Sequence, residues 1–420
     1  MQPRSQRPQV VIAGAGFAGL EASKALAAAE ADITLVDALN HHCFQPLLYQ
    51  VATAALSPAD VAWPIRAILR GQKNVRVIMA RVTGVDVQAR RVRTSEIDLA
   101  YDYLVIATGA THSYFGHDEW AQFAPGLKHI ADATEIRRRF LLAFERAELV
   151  EDEAERQRLL TFVVIGGGAT GVEMAGAIAE VARRTLQHDF RRIDPRSSRI
   201  VLVEAGPRLL PTFPEPLSQY AGHSLQAMGV EVELGCHVSG CDAQGVSLDG
   251  GGRIEAATVV WAAGVVASPA AAWIGAEHDR AGRIKVDADL SVPGHPEIFA
   301  VGDTATVADR NGRPVPGIAP AAKQMGRYVG AVIAARLRGR PAPPPFAYRH
   351  LGDLAAIGRK SAVVKLGPVR LTGLLGWLFW SAVHIYFLIG LRNRFVVALN
   401  WLWSYMTFQR GARLIGIAPR

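Results

Sequence analysis

The residues most able to do chemistry are glycines in two matching loops and acids at the ends of strand-like runs. Gly14-Ala15-Gly16-Phe17-Ala18-Gly19 and Gly166-Gly167-Gly168-Ala169-Thr170-Gly171 both follow the pattern G-x-G-x-x-G. In that pattern the first glycine makes a tight strand-to-helix turn, the second lets a pyrophosphate approach the backbone, and the third lets helix and strand pack closely. The N-terminus of the following helix favours the anion. The implied chemistry is the binding of two dinucleotides. A glycine-rich turn that only closes a βα unit is the alternative for either loop, and the repetition argues against it.

Acids stand where a ribose would be held. Asp37 closes the run Asp32-Ile-Thr-Leu-Val36, 23 residues beyond Gly14. Glu204 closes Arg199-Ile-Val-Leu-Val203, 38 residues beyond Gly166, and the surplus falls in the charged segment 183–198, which extends a helix and adds a loop. A carboxylate repels a 2′-phosphate, which favours NADH over NADPH at the second loop, although Arg208 keeps NADPH open. Asp303 follows Gly302 at the end of Pro296-Glu-Ile-Phe-Ala-Val301, where ligands of open α/β sheets bind. Glu173 lies in the first turn of the helix after the second loop, a place where the macrodipole stabilises an acid whatever its function.

The elements that must carry these residues repeat. Strands 9–13 and 161–165 enter the loops, and helix 17–29 follows the first. Tyr103-Leu-Val-Ile-Ala107 runs into Thr108-Gly109 as a buried parallel strand would, and Thr258-Val-Val-Trp-Ala-Ala263-Gly264 is its counterpart. The fold class is α/β, with two Rossmann-like dinucleotide-binding domains. Between them Asp132 reads as an N-cap with Glu135 in the reciprocal position, starting a connecting helix. Gly339-Arg-Pro-Ala-Pro-Pro-Pro345 is a stiff linker into the last segment.

Charge locates a distinct end. The chain carries +8 overall, yet residues 346–420 hold ten basic residues (Arg349, Arg359, Lys360, Lys365, Arg370, Arg392, Arg394, Arg410, Arg413 and Arg420) against one acid, Asp353. The remainder is therefore near neutral, which argues against nucleic-acid binding by a basic body. Trp377, Trp380, Trp401 and Trp403 lie in the same segment among Leu, Ile, Val and Phe, a composition suited to lipid. Residues 371–391 are long enough to span hydrocarbon as one helix, while the run 395–408 is too short to return. Charge at both ends of 371–391 gives no orientation signal. His384 and Trp380 share a helical face, and packing is the plainer role for that histidine. Cys43, Cys236 and Cys241 make no disulfide framework, and a structural role is favoured over a redox pair for the last two. His41-His42-Cys43 has no metal-ligand spacing, and no metal is expected. The polar first nine residues predict neither a signal nor a transit peptide.

The whole chain resembles the two-dinucleotide-binding-domain flavoproteins and, within them, the type II NADH:quinone oxidoreductases. The carriers are both glycine loops, Phe44-Gln-Pro-Leu-Leu-Tyr-Gln-Val-Ala52, Thr108-Gly109, Gly171-Val-Glu173, Gly302-Asp303, Ala319–Gln324 and the Trp-rich C-terminus. The resemblance implies a discontinuous FAD domain (1–120 and 286–345), an inserted NADH domain (121–285) and an amphipathic membrane-binding region (346–420). FAD would be held by Gly14, Gly16, Phe17, Ala18, Gly19, Asp37, Val82, Thr108, Gly109, Gly302 and Asp303, the last on its ribityl chain. NADH would be held by Gly166, Gly168, Thr170, Gly171, Glu204 and Gly264, with Glu173 near the stacked rings. The family pattern Ala-Gln-x-x-x-Gln is met at Ala319 and Gln324, but Pro320 replaces its first Gln, which leaves Gln324 as the quinone candidate. The expected activity is oxidation of NADH with a membrane quinone as acceptor and no proton pumping. The expected placement is monotopic, on the cytoplasmic face of the inner or plasma membrane, with a single span at 371–391 as alternative and a homodimer left open. A sulfide:quinone enzyme, a reductase of an electron-transfer protein and a non-catalytic redox sensor are the rival readings.

Overall fold

The computed structural model describes residues 7–309, 312–407 and 411–416; Arg410 and Arg420, named above, and the last residue of the run 395–408 lie outside them. Two compact units are present, the first built from residues 1–43, 63–111 and 265–351, the second from 44–62, 112–264 and 352–420. The changeovers fall just after the turns Thr108-Gly109 and Ala263-Gly264, and the C-terminal segment groups with the second unit.

The first unit is organised by a six-stranded sheet in the order Ser291–Val292, His295–Ala300, Tyr103–Ile106, Gln9–Ala13, Asp32–Asp37, Val75–Met79. All but the short edge strand run parallel, with Val10 level with both Ile33 and Tyr103. The central strands are continuous apolar runs because both sheet faces are covered. Helix Phe17–Ala25 ends four residues before the expected 29 and lies against helix Ala319–Leu337. Gly326 permits that approach, since a methyl there would sit 2.1 Å from the Ala18 carbonyl oxygen.

The second unit repeats the plan with four parallel strands, Val230–Leu234, Arg199–Glu204, Thr161–Ile165 and Thr258–Trp261. Helix Ala169–Glu180 follows the loop and continues as the wider turn Val181–Thr185 before the charged segment. The connecting helix runs Ile130–Leu149, so it starts earlier than expected. His129 is its N-cap, and Asp132 is the reciprocal acid, accepting from the His129 N–H at 2.8 Å. Glu135 instead pairs with Arg138 and Arg139 one turn on.

The C-terminal segment forms an antiparallel sheet (Asp353–Gly358, Ser361–Leu366, Val369–Leu371) and then helices Gly373–Phe387 and Leu391–Thr407. The single helix considered over 371–391 is not formed. Leu388 is extended and Gly390 has φ +84°, which ends the first helix after 15 residues. Among the described residues no helix is long and apolar enough to cross a membrane.

Candidate functional site

The two glycine loops are built alike, bond for bond. Gly14 (φ +102°) and Gly166 (φ +110°) each donate an N–H to the next strand, to Val36 and Val203, both at 2.7 Å. Any side chain at Gly14 would sit 2.2 Å from the Ala107 carbonyl oxygen, and at Gly166 2.6 Å from that of Ala262. At the third glycines a methyl would come within 1.9 Å (Gly19) and 1.8 Å (Gly171) of the first glycine's oxygen. The second glycines differ in kind: beside Gly16 and Gly168 there is nothing within 4 Å of such a methyl. Turn, open cradle and close packing thus occupy the places a pyrophosphate at a helix N-terminus requires, and the residues present fit a dinucleotide at each loop.

Asp37 and Glu204 also correspond. Asp37 accepts from Ala15 N at 2.6 Å and Leu39 N at 2.7 Å, while Glu204 accepts from Gly167 N at 2.5 Å and Gly206 N at 2.6 Å. Each acid therefore braces the residue between the first two glycines of its own loop. Thr170 is exposed in the first turn of its helix, and Gly264 lies under the ring of Phe115, whose edge a methyl would meet at 2.7 Å.

In the first unit the turn Gly302-Asp303-Thr304 meets Thr108-Gly109. The buried Thr304 hydroxyl accepts from Gly109 N at 2.8 Å, and Gly302 (φ +67°) packs between Ala18 and Ala322. Phe17 is half-buried, with Ala18 beneath it in the core. Val82 packs against the apolar cluster around Tyr101 and Leu104. Gln324 is engaged at both ends of its amide: Nε2 donates to the Arg349 carbonyl at 2.9 Å, and Oε1 accepts from Arg349 N at 3.0 Å. Pro320 lies in the first turn of its helix, where no intrahelical N–H bond is lost. His42 is buried, its Nδ1 donating to the Ala15 carbonyl at 2.9 Å and its ring edge-on to Phe17. Burial pushes its pKa down to about 4, so it is neutral at pH 7.

Glu173, in the second unit, faces the C-terminal segment. Its Oε1 accepts from Ala356 N at 3.1 Å. Burial pushes its carboxyl up to about 8, against the pull of that N–H and of the Trp380 indole, so it holds a proton at pH 7. The carboxyl borders a cavity of about 80 Å³ whose wall includes Glu180, Gln50, Arg359, Trp380, Trp401 and Tyr405. The cavity was not legible in the chain order, because its walls come from five separate segments. Trp380 stacks on Trp401 at 5.3 Å, and Trp401 Nε1 donates to Gln50 Oε1 at 2.7 Å. His384 is packed, as its plainer reading had it: its ring stacks on Trp380 at 4.1 Å, and burial holds its pKa near 4.

The cysteines are free thiols, and burial pushes Cys43 up to about 12 and Cys241 up to about 11. Neither is a thiolate near neutral pH.

Comparison with known proteins agrees with this geometry. Residues 8–326 match the model of the pyridine nucleotide-disulphide oxidoreductase family, and residues 350–410 match an NDH2 C-terminal domain. The type II NADH:quinone oxidoreductase NdhA of Mycobacterium tuberculosis is 47% identical over 97% of this chain and 89% of its own length. The chain belongs to the type II NADH:quinone oxidoreductase family. A second member from the same organism, Ndh, is 45% identical over 98% of this chain and 91% of its own length. The NDH2 of Plasmodium falciparum, solved in complex with NADH, shares the fold of this family member with a TM-score of 0.89, at 21% identity over 98% of this chain and 100% of that one.

Proposed function

We propose that this protein oxidises NADH and reduces a membrane quinone, with FAD at the first glycine loop and without moving protons across the membrane. When bound, FAD accepts the hydride of NADH and gives two electrons to the quinone. The observation that carries the reading is the repeated cradle, open at Gly16 and Gly168 between close-packed first and third glycines, in a chain of this family. Asp37 and Glu204 hold the loops and present carboxylates toward the ribose hydroxyls; Glu204 disfavours a 2′-phosphate, so NADH is the donor. Asp303, on the turn braced by Thr304, orients the ribityl chain. Glu173 keeps a proton at neutral pH and can release it toward a reduced quinone, while Gln324 orients the quinone. Cys43 and Cys241 are held as neutral thiols, so neither offers sulfide chemistry a thiolate nucleophile.

The C-terminal helices seat the protein on one leaflet at the cytoplasmic face of the inner or plasma membrane. Support comes from Leu375, Leu391, Phe395 and Trp403, each more than half exposed, beside the cations Arg392 and Arg394. The test is the visible spectrum of the purified protein, followed by anaerobic NADH and NADPH oxidation with a soluble quinone. A flavin spectrum with turnover strongly favouring NADH is expected; a colourless protein, or one idle with quinone, sinks the reading.

A further inference from the structure

Helix Ala169–Glu180 carries Glu173, Ala177 and Glu180 on one face, spaced i, i+4 and i+7, and all three border the same cavity. The Cα atoms of the two acids are thus about 10 Å apart along the axis. The alanine between them leaves a trough. Both acids are partly exposed: Glu180 Oε1 accepts from Arg359 N at one end, and Glu173 Oε1 accepts from Ala356 N at the other, beside Trp380. The lining is polar enough to order water, with Gln50, Tyr49, Thr53 and Ser404 joining the acids, and about 80 Å³ has room for several molecules at ~10–15 Å³ each.

We propose that Glu180 and this cavity form a proton inlet to Glu173, in which ordered water carries protons past Ala177. The inference rests on the role given to Glu173 above. The overall reaction converts NADH, one solvent proton and quinone into NAD⁺ and quinol. Both electrons originate in NADH. One quinol O–H bond forms as the O–H bond of Glu173 breaks, and the hydrogen of the other is balanced by the hydride that NADH gives up. Glu173 then takes a proton from cavity water, and Glu180 restores that proton from solvent. The titratable and charged groups around the path are few. Glu180 shares the helix with Glu173; Arg359 flanks the mouth from the strand turn, with its guanidinium 5.1 Å from the Tyr405 ring centre and Lys360 at 5.2 Å; Tyr49 and Tyr405 face the cavity; and His384 lies neutral behind Trp380.

The test is infrared hydrogen–deuterium exchange of the Glu173 carboxyl in the holoenzyme without substrates, its band assigned by loss in Glu173→Gln. Glu180→Gln, which keeps an oxygen for Arg359 N, and Ala177→Leu, which plugs the trough, should each slow that exchange by about tenfold or more. Both should slow quinol formation similarly while leaving flavin reduction by NADH unchanged. Wild-type exchange in both variants overturns the inlet. Should Glu173→Gln form quinol at the wild-type rate, the role of Glu173 fails instead, and the exchange measurement still judges the inlet.

Discussion

Replacing Glu173 with Gln should make the protein more resistant to unfolding as the pH rises. The native carboxyl titrates near 8 because burial disfavours its charge, whereas in the unfolded chain it returns to about 4.5. The folded protein therefore binds one more proton than the unfolded chain between those values, and stability falls with pH across that window. From pH 5 to pH 9 the wild type loses on the order of 4 kcal/mol through this one group, at about 1.36 kcal/mol per pH unit. Gln fills nearly the same volume, still accepts from Ala356 N and cannot ionise. The measurement is urea unfolding of holoenzyme and variant at pH 5, 7 and 9, followed by tryptophan fluorescence at fixed flavin. The gap in unfolding free energy should widen steadily in favour of Glu173→Gln. A gap independent of pH would mean that Glu173 is ionised throughout and that the cavity is wet enough to solvate it.

The glycine loops give a graded test: Gly19→Ala drives a methyl to 1.9 Å from the Gly14 oxygen and should yield protein that loses its yellow colour on gel filtration. Gly168→Val, by contrast, fills open space only, so flavin should stay bound while KM for NADH rises about tenfold or more, read from steady-state rates. Glu204→Ala removes the carboxylate and should narrow the NADH to NADPH ratio of kcat/KM by about tenfold, since a repulsion of roughly 1.4 kcal/mol disappears. Leu375→Asp combined with Trp403→Asp should abolish liposome flotation and leave turnover with a soluble quinone within about twofold, because both side chains point away from the body.

How much of this was written along the chain depends on range. The loops were legible because their three glycines answer to constraints within six residues, and Thr108-Gly109 and Ala263-Gly264 because a buried strand ends abruptly at each. The cap at 129–132 was misplaced by one turn, since an acid at N-cap and an acid three residues in both satisfy the same pattern. The break at Leu388–Gly390 escaped notice because an average over apolar residues does not register a change of backbone direction. Glu180, Arg359 and Trp380 were invisible as a group. Their meeting depends on the Asp353–Gly358 strand reaching the fingerprint helix, a contact that no local spacing encodes.

That contact is close enough to matter for anyone preparing the protein. At Gly176 the helix behind the second loop touches the strand so tightly that a methyl would lie 1.7 Å from the Ile357 carbonyl oxygen. The C-terminal segment is consequently a wall as well as the anchor proposed above. Cutting it off to obtain a detergent-free sample would strip one side of the dinucleotide helix and open Glu173 to solvent, so a water-soluble form has to be made by repainting the outer faces of the last two helices with the chain left whole.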